Sequence, residues 1–394
     1  MSAHDEASRG DEASRGDEAS RGEKAEKASR RAETVLAHIG TSSDPGTGAL
    51  TTPIYLSTAY AHPGLGASTG YDYTRTANPT RDVLQSALAQ IEGGTAGFAT
   101  SSGMAAAELV VSLAAPGSRI VAAEDIYGGT YRYFDELAKT GVYNVDFATG
   151  EQGLCAALSR PADLVFIETP TNPMMVEIDV ERIVDLGHRA GAIVAVDNTF
   201  YTPIFQRPLE SGADVVLHSA TKYLGGHNDV LAGAVIVSRE DLAEKLAVRL
   251  NMTGATLSPF DSWLLMRGMK TLALRMERHQ DNARKVAAAL EKSPLIDRVH
   301  YTGRGGMLSF VPNESVNMPK ALESVRIFTF AESLGGVESL ITCPAVQTHA
   351  DVPRERRMGY GLTDDLLRLS VGLEHWRDLV DDLLRALEVS IRRR

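Results

Sequence analysis

Lys222 lies in the run His218-Ser219-Ala220-Thr221-Lys222-Tyr223-Leu224-Gly225-Gly226-His227, directly after the apolar stretch 215–217. The apolar stretch reads as a buried strand, and the glycine pair allows a sharp turn after it. A lysine at that place can form a Schiff base with an aldehyde cofactor, while the Ser219 and Thr221 hydroxyls can hydrogen-bond a phosphate. A solvated lysine at a strand-to-loop junction accounts for the same residues. Asp197 follows another apolar run, 192–196, where an unpaired carboxylate is costly. A protonated pyridine nitrogen is one cationic partner for it, and capping of the next turn is the alternative use.

Four more positions carry chemistry by type. Tyr127 precedes Gly128-Gly129 and suits an aromatic face laid on a flat ligand, or ordinary core filling. Asn172 can donate to a ring oxygen or stabilise its Asn-Pro turn. Arg368 interrupts the apolar stretch 366–371 and needs an anion, either a substrate carboxylate or a structural acid. Tyr73 and Arg75 are two apart, so in an extended segment they point the same way. Together they offer a hydroxyl and a bidentate fork for a phosphate, or simply cap a subunit surface. Finally, Ser101-Ser102-Gly103-Met104 opens a small-residue helix over 105–113, and its free N–H groups make an anion site. The three-glycine spacing of a dinucleotide fingerprint is missing there.

The elements that would position these groups alternate. Apolar runs at 96–100, 119–123, 164–167, 192–196, 215–217 and 234–237 read as strands, with helices such as 180–189 between them. Such runs indicate a mostly parallel sheet covered on both faces. The polar candidates cluster after the carboxyl ends of the strands, where ligands bind in such sheets. Before the sheet, 31–39 reads as a short helix, and Thr80 is a plausible N-cap for a helix over 83–91. After it, 241–250 and 262–289 read as helices, the second with a polar face at Arg275, Glu277, Arg278 and His279. Strands at 307–311, 339–341 and 366–371 belong to a smaller domain closed by an amphipathic helix over 376–391.

Composition sets the limits. The chain has 394 residues, enough for a large domain and a smaller one. Its formal charge of −11 argues against a nucleic-acid partner, which needs a basic face. Cys155 and Cys343 are the two cysteines and stand far apart, so neither a disulfide framework nor a metal site is expected. No stretch is long and apolar enough to span a bilayer, and the N-terminus does not read as a secretory signal, so no membrane association and a cytoplasmic location are expected. Residues 5–22 are three copies of Asp-Glu-Ala-Ser-Arg-Gly, a low-complexity tract expected to be disordered.

Taken together, the ordered motifs resemble one family. They are Tyr-x-Arg-x-x-Asn-Pro-Thr, Ser-Ser-Gly-Met, Tyr-Gly-Gly-Thr, Thr-Asn-Pro, Val-Asp-Asn-Thr, Ser-Ala-Thr-Lys-Tyr, Ala-Glu-Ser-Leu-Gly-Gly and Leu-Arg-Leu-Ser-Val-Gly. Running from about residue 37 to 387, the series is similar to the pyridoxal phosphate enzymes of cysteine and methionine metabolism, the trans-sulfuration enzymes. Residues 218–233 and 257–263 look most like the bacterial cystathionine γ-synthase / O-acetylhomoserine thiolyase group.

The resemblance implies an α/β chain of fold type I, like aspartate aminotransferase, with a smaller C-terminal α+β domain. It implies a repeat-containing extension over 1–30, a helix and inter-subunit arm over 31–80, a cofactor domain over 81–245 and a C-terminal domain over 246–394. The cofactor would be pyridoxal 5'-phosphate, joined to Lys222, with Asp197 on its ring nitrogen and Tyr127 stacked on the ring and active in catalysis. Gly103, Met104, Ser219 and Thr221 would hold the phosphate, Asn172 the phenolic oxygen, and Thr199 would complete the set. Tyr73 and Arg75 would reach the phosphate of a neighbouring subunit, making the protein a dimer with shared sites or a tetramer. Ser339 and Arg368 would bind the substrate carboxylate, with Glu338 and Arg132 tuning side-chain specificity.

The implied substrates are small amino acids, and the implied reaction is γ-replacement on an O-acylated homoserine by cysteine or another thiol. Elimination of the cystathionine γ-lyase or β-lyase type, or chemistry on an unusual amino acid in secondary metabolism, is the alternative. A silent scaffold is disfavoured by the intact Lys222, Asp197 and Arg368. Thr76 stands where some synthases using succinylated substrate carry a second Arg, which favours acetylated substrate. Gly129 stands where methionine γ-lyases of the family carry Cys, which disfavours that activity.

Overall fold

The structure is a computed structural model that describes residues 30–392; the repeat tract lies outside the described residues. Seven strands form the larger sheet: β1 (Ala96–Thr100), β2 (Arg119–Ala123), β3 (Asn144–Ala148), β4 (Leu164–Glu168), β5 (Ile193–Asp197), β6 (Val215–His218) and β7 (Gly233–Val237), in the spatial order β1-β7-β6-β5-β4-β2-β3. Strands β2 to β6 run parallel, while β7 is antiparallel to both β6 and β1. Strands β4 and β6 are buried at every position, which is why they read as unbroken apolar runs. Strand β3 escaped the sequence reading because it alternates, Asn-Val-Asp-Phe-Ala, and lies at the sheet edge.

Two apolar cores cover the sheet. One packs Ile120, Phe166, Val194 and Leu217 against helices such as Gly103–Val111 and Val180–Arg189; the other packs Ala234 and Ile236 against helix Pro79–Glu92. Leu257, Leu265 and Met266 join this second core, although the sequence assigns them to the C-terminal region. Beyond it, β8 (Ile296–His300), β9 (Met307–Pro312), β10 (Thr329–Phe330), β11 (Leu340–Thr342) and β12 (Leu367–Ser370) form a five-stranded sheet in the order β10-β11-β12-β9-β8. It has its own core, closed by helix Trp376–Glu388.

Three local expectations are corrected. Asn78, not Thr80, caps helix Pro79–Glu92: its side chain accepts from Thr80 N at 3.0 Å and Arg81 N at 3.3 Å, and Pro79 takes the first helical position. The Thr80 hydroxyl is used elsewhere, donating to the Pro53 carbonyl at 2.8 Å. The expected helix over 262–289 is two helices, Pro259–Met269 and Leu272–Glu291. Arg275 and His279 do not lie on a polar face; both are buried. The turn after Lys222 supplies the reason: Arg275 Nη1 donates to the Tyr223 carbonyl at 2.7 Å and Nη2 to the Gly268 carbonyl at 2.8 Å.

Candidate active site

The carboxyl ends of β4, β5 and β6 open onto a cavity of about 300 Å³, lined by Lys222, Asp197, Tyr127, Asn172, Ser219 and Arg368 among others. The parallel register sets Glu168 directly beside Asp197 at the rim. Asp197 is held from one side: its Oδ1 accepts from Thr199 N at 3.0 Å and Thr199 Oγ1 at 2.5 Å. Thr199 Oγ1 in turn accepts from Ser219 N at 2.8 Å, so the two strand ends share one hydrogen-bonded chain. Thr221 is pinned by Ala232, whose N–H donates to its hydroxyl at 3.0 Å.

Electrostatics distinguish the charged groups. Burial pushes the Lys222 ammonium down to about 8, and the Arg368 guanidinium adds to this. A substantial neutral fraction near pH 8 is what a nucleophilic amine requires. Burial raises the Asp197 carboxyl, and among the described residues it forms no ion pair. Glu168 is raised well above its ordinary value by burial and then by the Asp197 charge. Its Oε2 accepts from Tyr127 N at 2.8 Å. Tyr127 itself is 40% exposed, with one face toward the cavity rather than packed as core.

At the other end, Ser102 caps helix Gly103–Val111, its side chain accepting from Ala105 N at 3.1 Å. A Cβ at Gly103 would sit 2.7 Å from the Ser219 Cβ, so only glycine lets this helix start approach the Ser219 loop. The free N–H groups and the Ser219 hydroxyl therefore form an anion cradle at the cavity floor. Arg368 crosses from β12, donating through Nη1 to Asn172 Oδ1 at 2.8 Å and through Nη2 to the Ser333 carbonyl at 3.1 Å. Among the described residues its buried Nε has no partner.

Pyridoxal phosphate fits this donor set. A buried carboxylate without a cation suits a pyridinium, the cradle suits a phosphate, and a partly neutral lysine suits the aldehyde. The family model for the Cys/Met metabolism PLP-dependent enzymes matches residues 33–388. The chain belongs to that family. It is 52% identical over 361 residues to cystathionine gamma-synthase/O-acetylhomoserine (thiol)-lyase of Bacillus subtilis, covering 91% of this chain and 97% of the relative. It is also 45% identical to the cystathionine gamma-lyase of the same organism, over 91% of this chain and 99% of that one. Cystathionine gamma synthase from Xanthomonas oryzae, solved in complex with cystathionine, superposes with a TM-score of 0.89 at 40% identity, covering 92% of this chain and 98% of that chain. The fold is therefore fold type I, the protein is a PLP-dependent enzyme, and its chemistry is of the trans-sulfuration class.

The cavity brings together Gly103, Met104, Tyr127, Asn172, Asp197, Thr199, Ser219, Thr221, Lys222 and Arg368. It does not bring in the other five expected residues. Ser339 is fully buried, its hydroxyl donating to Glu374 Oε2 at 2.9 Å and accepting from Gly372 N at 2.8 Å. Glu338 accepts from Asn228 Nδ2 at 2.8 Å outside the cavity. Ser333 and Glu332 line it instead. The stretch Glu332-Ser333-Leu334-Gly335-Gly336-Val337-Glu338-Ser339 contains Glu-Ser twice, and only the first copy belongs to the quoted Ala-Glu-Ser-Leu-Gly-Gly motif. Arg132 is exposed and paired with Asp351. Tyr73 and Arg75 lie on the surface near Gly254 and Thr256, apart from the cavity of their own chain. Glu168 and Thr348, which also line the cavity, escaped the sequence reading. Glu168 ends a buried strand just as Asp197 does, and that signal was present. Thr348 lies in a loop without local pattern.

Proposed function

We propose that this protein catalyses γ-replacement on an O-acylated homoserine, with cysteine or another thiol as the incoming group. The observation that carries the reading is the 52% identity, over nearly the whole length of both chains, to a cystathionine gamma-synthase/O-acetylhomoserine (thiol)-lyase. Thr76 in place of a second arginine supports an acetylated rather than a succinylated substrate.

Bound pyridoxal phosphate supplies an electron sink for carbanions next to the amino group. The chain's own residues do the rest. Lys222 would hold the cofactor through its Nζ and, in its neutral form, would take the α-proton of the substrate. Its Nζ lies 2.8 Å from Ser333 Oγ, which restrains the released amine. Arg368, already fixed by Asn172 and Ser333, offers its remaining donors to the substrate carboxylate. Asp197 would hold the ring nitrogen, and Tyr127, which also lines the cavity, would help hold the ring and serve as a further acid or base. Tyr73 and Arg75, which lie outside their own cavity, would hold the phosphate in a neighbouring subunit. The active unit is then at least a dimer, and the exposed Leu50, Ile54, Tyr55 and Leu56 on the same arm support a contact there.

Elimination is the second reading, favoured by the 45% identity to a cystathionine gamma-lyase. The test supplies O-acetylhomoserine with and without cysteine and identifies the products by mass. Cystathionine is expected with cysteine present; formation of oxobutyrate alone assigns the protein to elimination.

A further inference from the structure

His349 is fully buried behind the cavity, and its Nε2 faces two carbonyl oxygens, that of Asn172 at 2.9 Å and that of Ile126 at 3.2 Å. Both partners are acceptors, so the ring proton resides on Nε2. Burial and then the nearby Arg368 charge press this imidazole down to about 4, so it is neutral at pH 7. A neutral ring protonated at Nε2 carries a lone pair at Nδ1. Thr348 Oγ1 lies 2.9 Å from Nδ1, and the Thr348 hydroxyl is therefore the donor. With its one proton committed to His349, Thr348 turns only lone pairs toward the cavity it lines.

The segment is firmly placed. The Thr348 carbonyl stands 2.0 Å from where a Cβ on Gly128 would lie, so the loop packs directly on the start of the helix after Tyr127. A hydroxyl fixed as an acceptor selects among the groups of an amino-acid ligand. Carboxylates and thioether sulfurs offer it no proton, and the carboxylate at the reacting end has Arg368. The amine at the reacting end would be taken up by the cofactor aldehyde in place of Lys222. One donor remains in a ligand of two amino-acid halves, the ammonium of the far half.

We propose that Thr348 is a specificity-determining residue that accepts a hydrogen bond from the distal ammonium of a diamino thioether, with His349 as the positioning residue that sets its polarity. The inference rests on the reading above only in that the ligand is a two-headed amino acid, which is product for a synthase and substrate for a lyase.

The test is an equilibrium titration of the cofactor-loaded protein, followed by cofactor absorbance, with cystathionine and with its analogue lacking the distal amino group. Thr348→Val should weaken cystathionine about tenfold and leave the analogue unchanged, while Thr348→Ser should bind both like the parent. Equal weakening of both ligands, or of neither, overturns the proposal. Independently, ¹⁵N-histidine NMR of the unsubstituted protein should show a neutral imidazole protonated at Nε2 from pH 6 to 8, assigned by its loss in His349→Gln. Protonation at Nδ1 overturns the proposal even if no Thr348 variant folds. Failure to form cystathionine from O-acetylhomoserine and cysteine would refute the synthase reading and leave both of these measurements intact.

Discussion

Lys222 Nζ donates to Ser333 Oγ at 2.8 Å across 111 residues of chain, joining the larger sheet to the C-terminal region. Ser333 has φ 88°, a conformation that L-residues rarely adopt, and its carbonyl accepts from Arg368. One residue thus restrains both the amine and the guanidinium. Strain of this kind persists only where the surroundings enforce it.

Ser333→Ala should therefore retain the cofactor but lower kcat by about five- to tenfold, the worth of roughly one ordinary hydrogen bond. Steady-state kinetics and cofactor absorbance measure the two effects. Ser339→Ala should behave differently, because its hydroxyl bridges Glu374 and Gly372 away from the cavity. The expected outcome is a lower Tm, from the loss of about 1–3 kcal/mol, with kinetic constants near those of the parent.

The two Glu-Ser copies mark how far the sequence reaches. The strand ends were legible because buried parallel strands are apolar throughout, so a polar residue at their carboxyl end stands out, as Asp197 and Lys222 do. Arg368 was legible because it interrupts an otherwise apolar strand, β12, that is buried at every position. The choice between Ser333 and Ser339 was not, since it depends on the path of a loop that folds back across β12. Thr348 was hidden further still. Its role follows from which ring nitrogen of His349 meets two carbonyls, a relation among three separate segments.

Cofactor capture should depend on pH through Lys222. Its ammonium is depressed from the ordinary 10.5 to about 8 by burial and Arg368. The amine that attacks the aldehyde is the neutral form, so the rate of pyridoxal phosphate uptake by the cofactor-free protein should rise from pH 7 and level off above about pH 8. Stopped-flow absorbance checks this; a rate that keeps climbing tenfold per unit to pH 10 would mean an undepressed lysine. The linkage has a matching sign. Between about pH 8 and 10.5 the unfolded chain binds more protons at this site than the folded one, so stability of the cofactor-free protein gains from Lys222 as pH rises through that window.

Glu168 and Asp197 are neighbours in register, yet their substitutions should diverge. Burial and the Asp197 charge raise the Glu168 carboxyl well above its ordinary range, and it serves the chain by accepting from Tyr127 N. Glu168→Gln mimics a protonated acid and keeps an acceptor, so activity within about threefold of the parent is expected. Glu168→Ala leaves that N–H without its acceptor and should cost about 1–3 kcal/mol in stability. Asp197→Asn removes the charge that balances a ring cation, and activity should fall by more than a hundredfold with a shifted cofactor absorbance. Equal losses for Glu168→Gln and Asp197→Asn would show that both carboxyls work as anions.

Arg75 lies 5.6 Å from the Tyr73 ring centroid and lines a shallow surface hollow with Thr58 and Gly254, outside its own cavity. If it serves a neighbouring subunit, Lys222→Ala and Arg75→Ala damage opposite halves of a shared site. Each variant alone should be nearly inactive. A mixed dimer holds one intact site, built from Lys222 of one subunit and Arg75 of the other, and one doubly damaged site. Random reassembly of equal amounts should then recover about a quarter of the parent activity, since half of the dimers are mixed and each has one working site. Activity that stays at the sum of the two variants, in dimers shown by mass to be mixed, would place Arg75 in service of its own chain.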